Sequence, residues 1–138
     1  MNMKIRLFLM MEEFSSNHGY MLHVALNDFN KMKRDRTKEL KGLSCFKDDS
    51  KGISAIIESE FDTSNLVFSH KEACTARALY LDYQPVYGGY VIQQYVNDGG
   101  GITHPFGRTR IKGKEMYNAL YFHFAVTVEM KNKRVYNE

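Results

Sequence analysis

Tryptophan is absent from this chain, cysteine and proline occur twice each, and no apolar run approaches the roughly eighteen residues that a membrane-spanning helix needs. Cys45 and Cys74 are too few for a disulfide framework, and neither has a second Cys or a His at metal-ligand spacing. The apolar run Leu7 to Met11 is closed by Glu12 and Glu13, short of a signal-peptide core. These absences imply a reduced, soluble, cytoplasmic setting. Also missing are paired carboxylates, an activated Ser or Cys, a metal-spaced cluster, the dinucleotide fingerprint and the P-loop. No cofactor or metal is therefore implied, and most enzyme classes lose support. Charge of one sign is scarcely in excess: 19 Lys and Arg against 16 Asp and Glu give net +3 and a pI near 8.8. That balance permits a polyanionic partner without demanding one.

What is present suits a globular protein. At 138 residues, 43% hydrophobic and 25% charged, the chain is long enough for a core without staples and reads as one domain over 1–138, with 131–138 a charged, frayed tail. No repeat, low-complexity tract or linker divides it. The longest regular pattern is Met116 to Met130, read as one strand: Met116, Asn118, Leu120, Phe122, Phe124, Val126, Val128 and Met130 share one face, and seven of these eight are apolar.

Earlier in the chain, Ile5, Leu7, Leu9 and Met11 alternate with their neighbours as a first strand over 5–12. Ser15 to Gly19 is turn chemistry, and 20–26 reads as a second strand, giving an opening hairpin. A helix capped by Asn27 or Asp28 runs to Gly42, and 53–61 alternates as a third strand. Ser69 and Glu72 form a capping box for a helix from His70 to Asp82, stopped by Pro85. Strand pattern returns at Tyr90, with turns at Asn97 to Gly101 and Lys112-Gly113; Pro105 marks an edge or bulge. The expected fold is α+β: a mainly antiparallel sheet made of the opening hairpin, a middle strand and a three-stranded meander over 90–130, covered by two helices.

Candidate site residues lie in four places. Arg108, Arg110 and Lys112 alternate, with Lys114 beyond; in a strand they would line up at roughly 6.5–7 Å against successive phosphates. The helix 28–41 carries six cations against two acids over 31–41, net +4, with Lys33 and Arg34 as supporting contacts. Gly88-Gly89 and Gly99 to Gly101 are better explained by hairpin geometry than by phosphate cradling, but Tyr90 and Tyr95 beside them offer stacking surfaces for a base. Finally, His23 and His123 each stand two residues before an Ala on a strand. This is similar to the paired motifs of two-histidine phosphoesterases, which place Ser or Thr where this chain has Ala25 and Ala125.

The leading expectation is a non-enzymatic protein that binds an anionic ligand, nucleotide or nucleic acid, through the basic hairpin and basic helix. One alternative is a small inhibitor or phage accessory protein working through protein contacts, in some cases as a homo-oligomer, with no membrane partner. The other is a phosphoesterase-like enzyme using His23 and His123 as acid and base.

Overall fold

A computed structural model of the chain describes residues 1–122. The first element, α1 (Met3–Asn17), is a helix where alternation predicts a strand over 5–12. Phe8 and Met10 are as apolar as Leu7 and Leu9, so a period of two and a period of 3.6 both fit the segment. The local chemistry decides: Leu, Met and Glu favour helix, and the Asn2 side chain accepts the Ile5 N–H at 2.9 Å as N-cap. Ile5, Phe8, Met11 and Phe14 then point into the core.

Strand β1 (Leu22–His23) is only two residues long and pairs in parallel with strands from later in the chain, so no opening hairpin forms. Helix α2 (Leu26–Lys41) matches expectation, with Gly42 as C-cap; its N-cap is Ala25, and Asp28 sits in the first turn, where the helix dipole favours a carboxylate. Helix α3 (Ser50–Glu60) replaces the predicted third strand. Ile53, Ile57 and Phe61 are spaced for either structure, but the Asp49 carboxylate accepts the Gly52 N–H at 2.9 Å and starts a helix.

Strand β2 (Leu66–Val67) leads to α4 (His70–Ala76), whose Ser69 hydroxyl accepts the Glu72 N–H at 3.1 Å. The cap is as predicted; the far end is not, because Arg77 turns left-handed (φ 53°) and the chain becomes β3 (Leu79–Gln84) six residues before Pro85's predicted stop would have needed it. Strand β4 (Gly89–Tyr95) and the short β5 (Ile102–Thr103) follow, joined through a turn in which Asn97 Oδ1 accepts from both Gly99 and Gly101 N–H at 3.0 Å. Residues 113–122 form the helix α5 where the long strand was expected to begin. Met116 and Leu120, one turn apart, are buried, while Asn118 and Phe122 are exposed. The remainder of that predicted strand, 123–130, with His123 and the tail 131–138, lies outside the described residues.

The described residues thus hold five α-helices and one five-stranded sheet of order β2-β1-β3-β4-β5. The sheet is mixed, not mainly antiparallel: β1 runs parallel to β2 and β3, and the antiparallel meander is β3-β4-β5 over 79–103. One face packs against α1, α2, the end of α3 and α5, with Leu22, Leu66, Leu79 and Ile92 meeting Phe8, Phe29, Phe61 and Leu120. The other face is covered by α4 through Ala73 and Cys74 against Val67, Ala78 and Tyr95.

Candidate functional site

Helix α2 separates its charges by face. Phe29, Met32 and Leu40 are buried, whereas Lys31, Arg34, Lys38 and Lys41, three or four residues apart, are exposed along one outer stripe about 15 Å long. None of these four cations has an ion pair among the described residues. Asp35 neighbours Lys31 and Lys38 at helical spacing, and the other two acids are engaged elsewhere. Asp28 meets Lys4 at 3.4 Å, and Glu39 receives the Asn2 N–H at 3.0 Å and Arg36 at 3.3 Å. Although burial acts to raise the Glu39 pKa, these bonds and the N-terminal charge outweigh it and hold the carboxyl below its usual range. Arg36 Nε reaches both Glu60 oxygens at 2.9 and 3.0 Å and so ties α2 to α3. Of the helix residues singled out above, Arg34 lies on the stripe; Lys33 lies off it, its ammonium 5.5 Å above the Phe29 ring. Lys31, Lys38 and Lys41, counted among the six cations of this helix but not singled out, align with Arg34 by helical spacing alone.

Residues 108–112 are not a strand bearing a row of cations. Arg110 Nη2 is 2.6 Å from Asp82 Oδ2 and Nη1 donates to the Gly89 carbonyl at 3.0 Å, so this guanidinium clasps the β3–β4 hairpin. Arg108 and Lys112 are exposed, as is Lys114 in the first turn of α5. Between them Ile111 exchanges backbone bonds of 2.8 and 2.9 Å with Tyr90. The basic helix and this segment both touch the start of α1, since Asn2 bonds Glu39 while Gly113 packs beside Met3.

A crevice opens beside α2 because β1 stops early. Val24 donates its N–H to Val67 at 3.0 Å, so the chain leans toward β2 after His23 while β3 runs on to Gln84. Leu79 N–H bonds Met21 O at 2.9 Å. Leu81 and Tyr83 share its parity and direct their backbone groups to the same side, beyond the end of β1. The resulting cavity has a volume of about 340 Å³ and lies between α1, the first turns of α2 and the hairpin, with Leu7, Phe8 and Met32 as apolar walls and Lys4, Asp28, Tyr80 and Tyr83 as polar ones. It sits at the carboxyl ends of adjacent parallel strands whose connections leave in opposite directions, where open α/β sheets place ligands. Tyr83 and Tyr90 stack there with centroids 4.5 Å apart at 28°. Burial raises the pKa of Tyr90 and of Tyr80, so both phenols stay neutral at pH 7.

Tyr95, by contrast, is 7% exposed and its hydroxyl is 2.8 Å from His23 Nδ1, leaving no free ring face for a base. His23 itself is half-buried among Tyr80, Tyr95 and, beyond them, His70. Burial and then the charge of His70 push its pKa below 6.5, against a weaker opposing bond to the Phe68 backbone. The folded state therefore binds this proton less tightly than the unfolded chain. The stability contributed by the neutral ring is complete above pH 6.5 and is lost as pH falls below it, through the lower folded value. The urea midpoint should fall between about pH 7.5 and 5, and His23→Gln should flatten that dependence; an unchanged slope would show that other groups set it.

Among the described residues no group of three His, Cys, Asp or Glu side chains is placed to hold a metal ion, and no helix is long and apolar enough to cross a membrane. No protein-family model, curated protein or solved structure matches the chain.

Proposed function

We propose that this chain is a non-enzymatic nucleic-acid-binding protein that holds a sugar–phosphate backbone on the outer face of α2. The observation that carries the reading is the exposed stripe of Lys31, Arg34, Lys38 and Lys41, four cations against the single neighbouring acid Asp35, while Asp28 and Glu39 are engaged with Lys4, Arg36 and Asn2. A surface whose only task was solubility needs no such excess of one sign along a face, because balanced acids and bases keep a helix wet equally well. Cations in a row displace condensed counterions from a polyanion, and this supplies most of the affinity of sequence-independent binding. Lys112 and Lys114, either side of Gly113, add charge near the start of α1, and Arg108 extends it toward Phe14 near that helix's end; Arg110 is engaged with Asp82 and contributes by holding that segment in place.

The test is fluorescence polarisation of a labelled oligonucleotide titrated at several salt concentrations. Four phosphate contacts give a slope of log K against log salt near −3, so affinity should fall roughly 50-fold between about 50 and 200 mM salt. Lys31→Ala, Arg34→Ala, Lys38→Ala and Lys41→Ala together should abolish binding at the higher salt. Alanine preserves the helix. Binding that ignores both salt and these substitutions would sink the reading. It would favour instead a protein contact through the β3–β4 turn, where Val86 is 85% and Tyr87 75% exposed.

A further inference from the structure

We propose that the crevice between β1 and β3 receives one unpaired nucleobase of the strand held on α2, which makes the protein a single-strand binder. This rests on the reading of α2 as the backbone-binding surface. Position comes first. Asp28 and Met32, in the first turns of α2, form one wall of the cavity, and Lys31, the first cation of the stripe, lies between them in sequence. Lys31 follows Asp28 by three residues and so adjoins it on the helix surface, and a backbone following the stripe toward the helix N-terminus would pass this wall of the crevice, where a base can turn inward.

Size and chemistry agree with that occupant. About 340 Å³ is at the small end for ligand sites, enough for a planar ring system and far too small for a duplex. Leu7 and Phe8 give an apolar floor, and the stacked Tyr83–Tyr90 pair gives an aromatic platform whose outer member, Tyr83, is 53% exposed. Stacking on such a platform tolerates any base, because each has a π-face. The polar rim discriminates further. The Asp28 carboxylate is an acceptor, and the Tyr83 N–H and carbonyl face the side left open by β1. A carboxylate accepts from an exocyclic amine, as in Asp contacts to the cytosine N4 amine. The crevice therefore favours amino-bearing bases over thymine or uracil. In a duplex these rings remain stacked inside and would have to be extruded, at a cost of unpairing.

The experiment compares, at one low salt concentration, a single-stranded oligocytidine, its thymidine or uridine counterpart, the same-length abasic backbone and a duplex, in DNA and RNA series. The expected result is that the abasic strand binds about tenfold more weakly than oligocytidine, and the duplex more weakly than either single strand with bases. Tyr83→Ala, at an exposed position, should remove the gap between oligocytidine and abasic strand while leaving the salt slope intact. Asp28→Asn should shrink the cytosine preference. Equal binding of abasic and oligocytidine strands, both still salt-dependent, would overturn the crevice proposal and leave the α2 reading standing. Duplex binding as tight as single-strand binding would do the same. Failure of every polyanion to bind would overturn both.

Discussion

Phe8→Ala should lower the stability of the protein by about 3 kcal/mol, toward the lower end of the range for a buried phenylalanine. The ring is 6% exposed and joins three helices: it stacks on Phe61 at 5.5 Å, meets Phe29 edge-on at 6.0 Å, and Phe29 in turn meets Phe61 at 5.7 Å and Phe68 at 5.2 Å. Truncation forfeits the transfer free energy of the ring and two aromatic pairings. The cost stays below the top of the range because Phe8 is also a wall of the crevice, so the space it leaves joins a cavity already open rather than forming a sealed void. Thermal unfolding reports this as a drop of roughly 10 °C. Phe8→Leu, which keeps most of the volume, should cost about 1 kcal/mol. Near-equal midpoints for wild type and Phe8→Ala would mean that α1 does not hold α2 and α3 together through this ring.

The same ring shows why parts of the fold were illegible. In 5–12 six of eight residues are apolar, Phe8 and Met10 among them on the parity opposite to Leu7 and Leu9, so counting cannot separate a strand from a helix buried along a broad face. Helices α3 and α5 fail for a related reason: Ile53 and Ile57, and Met116 and Leu120, are four residues apart, a multiple of both two and one helical turn. Capping chemistry was the better guide, because Asn2, Asp49 and Ser69 each accept a backbone N–H at their helix starts. Elements with strong local signals were read correctly, among them α2 with Gly42, β4, and the turn built on Asn97 and three glycines. The alternation over 20–26 located β1, but its parallel pairing with β2 and β3, and the two-residue strand β2 itself, arise from contacts across more than forty positions that no window on the sequence could reveal. The crevice is a consequence of that pairing and was equally hidden. So was the partner of Arg110, 28 residues away at Asp82. The cation stripe was visible in principle, since it needs only the helical period of a helix already identified.

Gly89→Ala should cost more than Gly88→Ala although both residues are glycines at positive φ, +120° and +103°. Each substitution carries the backbone strain of an L-residue in that region, of order 1–3 kcal/mol. Only at Gly89 does a Cβ also run into fixed backbone, the Ile111 carbonyl; at Gly88 its nearest neighbour is Arg110 Cβ at 3.7 Å, an ordinary contact. The clash cannot be relieved by rotating a side chain, so β4 and the 108–112 segment must separate. That breaks the paired Tyr90–Ile111 backbone bonds and removes the Gly89 carbonyl from Arg110. Releasing this one segment is cheaper than unfolding the helices packed on the sheet, so the damage should be local. Amide exchange at Ile111 should quicken and trypsin should cut at Arg108, Arg110 and Lys112 in Gly89→Ala, while Gly88→Ala remains close to wild type in both. Equal behaviour of the two variants would mean that Ile111 does not press against β4. Because the stripe on α2 is untouched, the cleaved Gly89→Ala protein should still bind nucleic acid, weakened only by the share that Arg108 and Lys112 supply; complete loss would move the main binding surface from α2 to the 108–114 segment.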